Sequence, residues 1–264
     1  MKAVSPVFRR GYGYRFDLTE YFPPAIKTIC IACISVFVLQ ELSALLFGPA
    51  GAEFWTKTFG LIPYATVFGF RVWQPFTYLF LHAGVLHILF NLLYLAMFGA
   101  DLERMWGSRK FYTYFFVCGV GAGVINVIVK LIIDPHGKGT AIWPPTIGAS
   151  GAIYGVLLAC AVMMPHRQVW VFPLPVTVSM RIFVAVMGAI EFFATIGASG
   201  DNVSHVCHLG GMLVGYVYLR RGSYLYGFRN SVSDWQRRRL KKKFEVYVRE
   251  HRDKPPSNPD NWVN

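Results

Sequence analysis

Apolar runs long enough to cross a lipid bilayer recur along this chain, and they restrict its fold more than any other feature. Of its 264 residues, 54% are hydrophobic and only 15% are charged, a composition too apolar for an ordinary soluble domain. A helix of about 20 apolar residues spans the hydrocarbon core. We therefore expect an all-α membrane protein, a bundle of six transmembrane helices. The predicted spans are Ile26–Phe47, Phe76–Met97, Phe111–Ile133, Ile147–Met164, a fifth from about Val169 to Ile196 that is interrupted by Pro173 and Pro175, and Val203–Leu219.

The basic residues predict how these spans are oriented. The net charge is +12, and most of the excess lies in the two tails. A soluble protein with this charge could bind nucleic acid, but here the charge fits flanks that face anionic lipid, so no nucleic acid partner is expected. The positive-inside rule places both termini in the cytoplasm. The predicted divisions are 1–24 as a cytoplasmic segment, 25–221 as the transmembrane domain and 222–264 as a basic, partly disordered cytoplasmic tail.

Five connections join the spans in this topology, one of them a short inner turn at residues 165–167. Residues 48–75 are rich in Gly, Pro and aromatic residues, which favours a long loop in the membrane interface. Residues 101–110 carry three basic side chains and are predicted as an inner loop. Residues 134–145 and 198–202 are predicted as outer connections because Gly, Pro and polar residues punctuate them.

Polar side chains within the spans are costly in lipid and so indicate function or helix pairing. His87 and Asn91 are four residues apart on one face of the second span, and His208 lies in the sixth. Ser150 is expected about five residues inside the apolar segment of the fourth span. A lone serine there would more often cap the helix. Because spans two, four and six all enter from the outer side, however, the three polar groups are expected at a similar depth.

Small residues would allow spans four and six to meet. Gly151 and Gly155 are four residues apart in span four, and Gly211 and Gly215 repeat this spacing in span six. Small residues at this spacing permit close approach of two helix backbones in lipid. Packing the two stripes together would bring Ser150 within reach of His208.

A serine in reach of an imidazole points to nucleophilic chemistry, because the imidazole can accept the serine proton. The attacked carbonyl then needs hydrogen-bond donors for its developing negative charge. His87, Asn91 and the backbone N–H of Ser150 are the candidates. Tyr154, one helical turn from Ser150, is placed to pack against the imidazole ring.

The ordered set of motifs resembles the rhomboid family of intramembrane serine proteases, over about residues 25–220. The resemblance implies a six-span core, a Ser150–His208 dyad without a third acid, and an oxyanion site near His87 and Asn91. Glu191, the one acidic residue of span five, is not expected to orient His208. The similar motifs are His87-Ile-Leu-Phe-Asn91 to HxxxN, Gly148-Ala-Ser150-Gly151 to GxSG followed by Tyr154, and His208-Leu-Gly-Gly211 to the histidine motif.

The implied activity is cleavage of single-span membrane proteins near the extracytoplasmic end of their spans. We expect a multi-pass protein of the bacterial plasma membrane whose partners are such substrates and the lipid bilayer. One alternative is an inactive rhomboid-like protein that binds membrane clients without cutting them. Such relatives are expected to lack the serine or the histidine, and this chain keeps both.

A second alternative is a metal enzyme or transporter that uses His87, His205 and His208. The chain has no HExxH motif, and the sequence places no carboxylate beside these histidines. We therefore expect no metal and no cofactor. His205, one turn nearer the outer surface than His208, is interpreted as structural, and catalysis is assigned to His208.

Overall fold

The computed structural model describes residues 22–133, 145–171, 176–196 and 204–221. By its contacts the chain divides into two units, Met1–Tyr216 and Val217–Asn264, and the candidate site lies in the first. The predictions for the basic tail 222–264, for most of the N-terminal segment and for most of the two outer connections fall outside the described residues.

The described chain is predominantly helical, as predicted, with one two-stranded antiparallel ribbon. A 3₁₀ turn, Tyr78–Phe80, follows α4, and a π-helical turn, Leu95–Gly99, joins α5 and α6 into one continuous helix. The helices are α1 Pro24–Phe47, α2 Pro49–Phe59, α3 Pro63–Val67, α4 Gln74–Thr77, α5 Val85–Tyr94, α6 Ala100–Trp106, α7 Ser108–Ile133, α8 Ser150–Met163, α9 Met180–Ile196 and α10 over 205–221, and the strands are β1 Gln168–Trp170 and β2 Thr177–Ser179.

Three helices within the described ranges are long and apolar enough to cross a membrane: Pro24–Phe47, Val85–Trp106 and Ser108–Ile133. Ser150–Met163 is equally apolar but shorter. The outer surface of the bundle is apolar as well. Leu45 and Ile132 are more than 70% exposed on two different spans, as expected for helices whose solvent is lipid.

The predicted first and third spans are confirmed to within three residues at each end, but the second is wrong at both ends. Its helix begins at Val85 instead of Phe76, because Leu81–Gly84 is an extended break after the 3₁₀ turn. It then continues through the charged segment predicted as an inner loop, as far as Trp106. Only Gly107, with a φ of +78°, separates it from α7.

The fifth span and the first loop also differ from the prediction. Val169 pairs with Val178 in the β-ribbon, so the helix begins only at Met180. The β-branched residues of this segment favour a strand over a helix. Residues 48–75 contain three short helices where a loop was predicted, and each has a proline in its first turn, where proline is well tolerated.

A buried carboxylate fixes the first residues of α1 against α6. Glu103 is 2% exposed, and its two oxygens accept hydrogen bonds from the backbone N–H groups of Ala25 and Ile26 at 2.7 and 2.9 Å. Ser108 donates to the same carboxylate at 2.6 Å. Glu103 therefore caps a helix start that has no other side-chain cap.

Candidate active site

Two glycine-lined faces bring α8 and α10 into backbone contact. A Cβ built on Gly211 would lie 1.8 Å from the carbonyl oxygen of Gly151, and one on Gly155 would lie 3.1 Å from that of Gly211. A Cβ built on Gly215 would lie 3.3 Å from the Gly155 Cα. Side chains larger than hydrogen at these positions would separate the helices.

Ser150 is the first residue of α8, not a residue several positions inside the helix as predicted. Ile147, Gly148 and Ala149 are not helical, because Gly148 adopts a φ of +116° and its N–H donates to the Tyr78 carbonyl at 2.8 Å. The capping interpretation of Ser150 is also wrong, since α8 has no side-chain cap. The hydroxyl is instead directed at α10.

The Ser150 hydroxyl contacts His208. Its Oγ lies 2.7 Å from His208 Nε2, the distance expected between a nucleophile and its base. The Tyr154 ring stacks on the His208 ring at 4.3 Å and 12°. The structure therefore brings together all three residues that the sequence analysis proposed for the nucleophile, the base and the ring support.

His87 and Asn91 border the same space from α5. A Cβ built on Gly148 would lie 2.8 Å from His87 Nε2 and 3.7 Å from Asn91 Nδ2, so both nitrogens approach the backbone just before Ser150. The Ala83 N–H donates to His87 Nδ1 at 3.2 Å. In the neutral ring Nδ1 must therefore accept, and Nε2 carries the proton and can donate toward the site. Asn91 Nδ2 donates to the His87 carbonyl at 3.0 Å, which fixes the amide and leaves its second N–H for another acceptor.

These groups line one cavity of about 470 Å³. Its walls are mainly apolar, which suits a stretch of apolar peptide. Residues of four helices contribute to it: His87, Phe90, Asn91 and Tyr94 from α5, Ser150, Ile153, Tyr154 and Leu157 from α8, Met187 from α9, and Cys207 and His208 from α10.

Sequence reasoning missed Glu191. Its carboxylate is 6% exposed and faces α10, where Oε2 lies 2.6 Å from His205 Nδ1 and 3.0 Å from His208 Nδ1. Oε1 accepts a hydrogen bond from the Tyr154 hydroxyl. The expectation that no acid lies behind His208 is therefore wrong. The one available signal was that Glu191 is the single carboxylate within an otherwise apolar helix.

One group of side chains in the described part of the chain has a geometry that could hold a metal ion: Glu191, His205 and His208. The ligand atoms of Glu191, His205 and His208 lie within 4.8 Å of one another. The sequence analysis argued against a metal site because no carboxylate was expected beside the histidines, and that argument is wrong. His87, the third histidine of that alternative, is not a member of this group, and the Glu191 oxygens already lie within ion-pair distance of both imidazoles.

Fold and site together define a class of protein: a helical membrane protein in which a serine and a histidine are in contact at a cavity. The rhomboid domain model matches residues 69–224, more than half of the chain. The chain therefore belongs to the rhomboid family, and it is an integral membrane protein.

Individual relatives agree with this assignment. The rhomboid protease GluP of Bacillus subtilis is 30% identical over 145 residues, 54% of this chain and 25% of that protein. RHOMBOID-like protein 1 of Arabidopsis thaliana is 30% identical over 162 residues, 59% and 37% of the two chains. The rhomboid protease GlpG of Salmonella choleraesuis is 26% identical over 148 residues, 56% and 46%. The matched region thus spans between a quarter and a half of the length of these relatives.

Proposed function

We propose that this protein is an intramembrane serine endopeptidase that cuts the spans of single-span membrane proteins near their extracytoplasmic ends. The observation that carries the proposal is the 2.7 Å contact between Ser150 Oγ and His208 Nε2 at the edge of an apolar cavity. The names of the GluP and GlpG relatives as rhomboid proteases support the same reaction. The inactive client-binding alternative is not favoured, because both residues are present and in contact.

In the proposed reaction, His208 Nε2 accepts the Ser150 proton as Oγ attacks the substrate carbonyl carbon. The C–O bond forms while the carbonyl π electrons move to oxygen. His87 Nε2–H and the free Asn91 N–H are near enough to donate to that oxyanion, together with the Ser150 backbone N–H, which is unused at the first position of its helix. The protonated His208 then gives its proton to the leaving amine, and water hydrolyses the acyl-enzyme by the same steps.

The proposed topology has six spans with both termini in the cytoplasm, which puts the start of α8 toward the outer face. We further propose that the membrane is the bacterial plasma membrane. A carbonyl that reaches Ser150 then comes from the outer end of the substrate span. A helix hides its carbonyls in internal hydrogen bonds, so the cut segment must unwind, and small or helix-breaking residues lower that cost.

Incubation of the purified protein with a model single-span substrate tests the function, with Ser150→Ala as the matched control. We expect cleavage by the wild type and none by the variant, with product termini that map to small residues near the extracytoplasmic face. Equal cleavage by Ser150→Ala would contradict the proposed chemistry. A cut near the cytoplasmic end would contradict the proposed topology.

A further inference from the structure

Glu191 needs an explanation, because an ionised carboxylate buried among apolar helices is costly unless it is paired. It sits on α9, whose lipid-facing residues include Ile190 and Phe193, at 55% and 70% exposure. Its own exposure is 6%. The compensation comes from the neighbouring helices, since α8 supplies Tyr154 and α10 supplies His205 and His208.

Glu191 makes three side-chain contacts, and two of them are enough to join α9 to its neighbouring helices. The third contact therefore needs another explanation. Tyr154 donates to Oε1, and His205 Nδ1 lies 2.6 Å from Oε2, so these two contacts alone join α9 to both neighbours. The third contact is directed at the one His208 nitrogen that Ser150 does not use. Oε2 lies 3.0 Å from His208 Nδ1, while Nε2 faces Ser150 Oγ at 2.7 Å.

This arrangement selects a tautomer. With a carboxylate beside Nδ1, the neutral His208 ring keeps its proton on Nδ1, which leaves the Nε2 lone pair to accept the Ser150 proton. When Nε2 takes that proton, the positive ring faces a negative carboxylate and is stabilised. The proton later leaves from Nε2 to the amine, so Glu191 remains ionised throughout.

Tyr154 acts on the same two groups. Its ring stacks on His208 at 12°, and its hydroxyl holds the carboxylate that faces His208 Nδ1. Tyr154 thus fixes both the plane of the His208 ring and the position of the Glu191 carboxylate. The Nδ1–Oε2 approach is a close charge contact but not a linear hydrogen bond. Catalytic hydrogen bonds are often poorly aligned until substrate binds.

We infer that Glu191 is a positioning residue for His208: its carboxylate holds the ring of the Ser150–His208 pair in the tautomer that leaves Nε2 free to accept the Ser150 proton. The inference rests on the proposed function, because it assigns Glu191 a part in the same reaction. His205 and Tyr154 then serve to hold the Glu191 carboxylate.

The test compares Glu191→Gln and Glu191→Asp with Glu41→Gln, an exposed glutamate on α1 that serves as the matched control. The measurements are kcat and KM on a model single-span substrate, the rate of Ser150 labelling by a fluorophosphonate, and the thermal midpoint. We expect Glu191→Gln to lower kcat and the labelling rate at least about tenfold with KM little changed, since the neutral amide cannot stabilise the imidazolium. Glu191→Asp keeps the charge and should recover part of the loss. A kcat of Glu191→Gln within twofold of the control would overturn the inference.

A second measurement requires no change at Glu191, in case that variant does not fold. Nitrogen-15 NMR of the histidine-labelled protein, with the His208 signals assigned by their loss in His208→Asn, reports which ring nitrogen carries the proton. We expect the Nδ1–H tautomer, and the Nε2–H tautomer would overturn the inference. If the proposed function is wrong, neither the wild type nor Glu41→Gln will cleave the substrate. The labelling rates and the His208 tautomer would still show whether Glu191 positions His208.

Discussion

Gly211 contacts Gly151 so closely that a β-carbon on Gly211 would fall 1.8 Å from the Gly151 carbonyl oxygen. No rotation of a side chain relieves such an overlap, because the obstacle is backbone. The distance between Ser150 on α8 and His208 on α10 therefore depends on two residues that have no side chain.

Gly211→Ala should for this reason separate α8 from α10 and abolish most of the activity. Overpacking of a tight contact costs about 1–3 kcal/mol, so the thermal midpoint in detergent should fall as well. Gly188→Ala on α9 is the control, since its new Cβ would meet only the flexible Met212 side chain at 3.4 Å. Wild-type cleavage by Gly211→Ala would mean that this contact does not set the site geometry.

His208→Ala should abolish cleavage, and Ser150→Ala combined with it should be no worse than either change alone, because the two residues act as one unit. His205→Ala should have a smaller effect, since His205 contacts Glu191 and not Ser150. Single-turnover rates of the four proteins check this. If His205→Ala were inactive and His208→Ala active, the base would be one turn nearer the N-terminal end of α10.

His87→Ala and Asn91→Ala should each lower kcat by roughly ten- to a thousand-fold, because each removes one of several oxyanion donors. His166→Ala is the control, an exposed histidine in the turn between α8 and β1. Thermal midpoints near that of the wild type would show that the bundle is intact. Unchanged kcat values in both variants would leave His87 and Asn91 with a helix-packing role alone.

A chelator should leave cleavage unchanged, although Glu191, His205 and His208 offer ligand atoms within 4.8 Å. The proposed nucleophile is a serine hydroxyl, which needs a proton acceptor and not an ion to become reactive. Cleavage assays after dialysis against EDTA and after fluorophosphonate treatment separate the two chemistries. Loss of activity with EDTA that zinc restores would favour a metal enzyme.

The sequence predicted the main contacts of the site because those contacts repeat a helical spacing. His87 and Asn91 are four residues apart, and the glycines of α8 and α10 are spaced alike, so periodicity alone placed them on facing stripes. The ends of the helices were less predictable. The break before Val85 and the β-ribbon before Met180 lie in apolar stretches, where hydropathy does not distinguish a helix from a strand or a turn.

Glu191 was misjudged for a related reason. Which way a side chain of α9 points depends on where that helix begins and how it is rotated against α8 and α10. Neither can be read from an apolar stretch whose first half forms a strand instead. The residues that stabilise the buried carboxylate, Tyr154 and His205, lie on two other helices. The sequence around Glu191 does not indicate these contacts.

The β-ribbon also has a consequence for the surrounding lipid. The ribbon delays the start of α9 to Met180, so the apolar stretch from Val169 contributes fewer helical residues toward the roughly 20 that a span of the hydrocarbon core needs. Its outward side chains Ile190, Phe193 and Ile196 are all at least 55% exposed, so a helix shorter than the hydrocarbon core would leave a hydrophobic mismatch with the acyl chains beside it. Such a mismatch would thin the bilayer next to α9, which lines the cavity through Met187. Vesicles of shorter-chain lipids should therefore support faster cleavage than thick ones, and a rate independent of chain length would mean that no such thinning contributes.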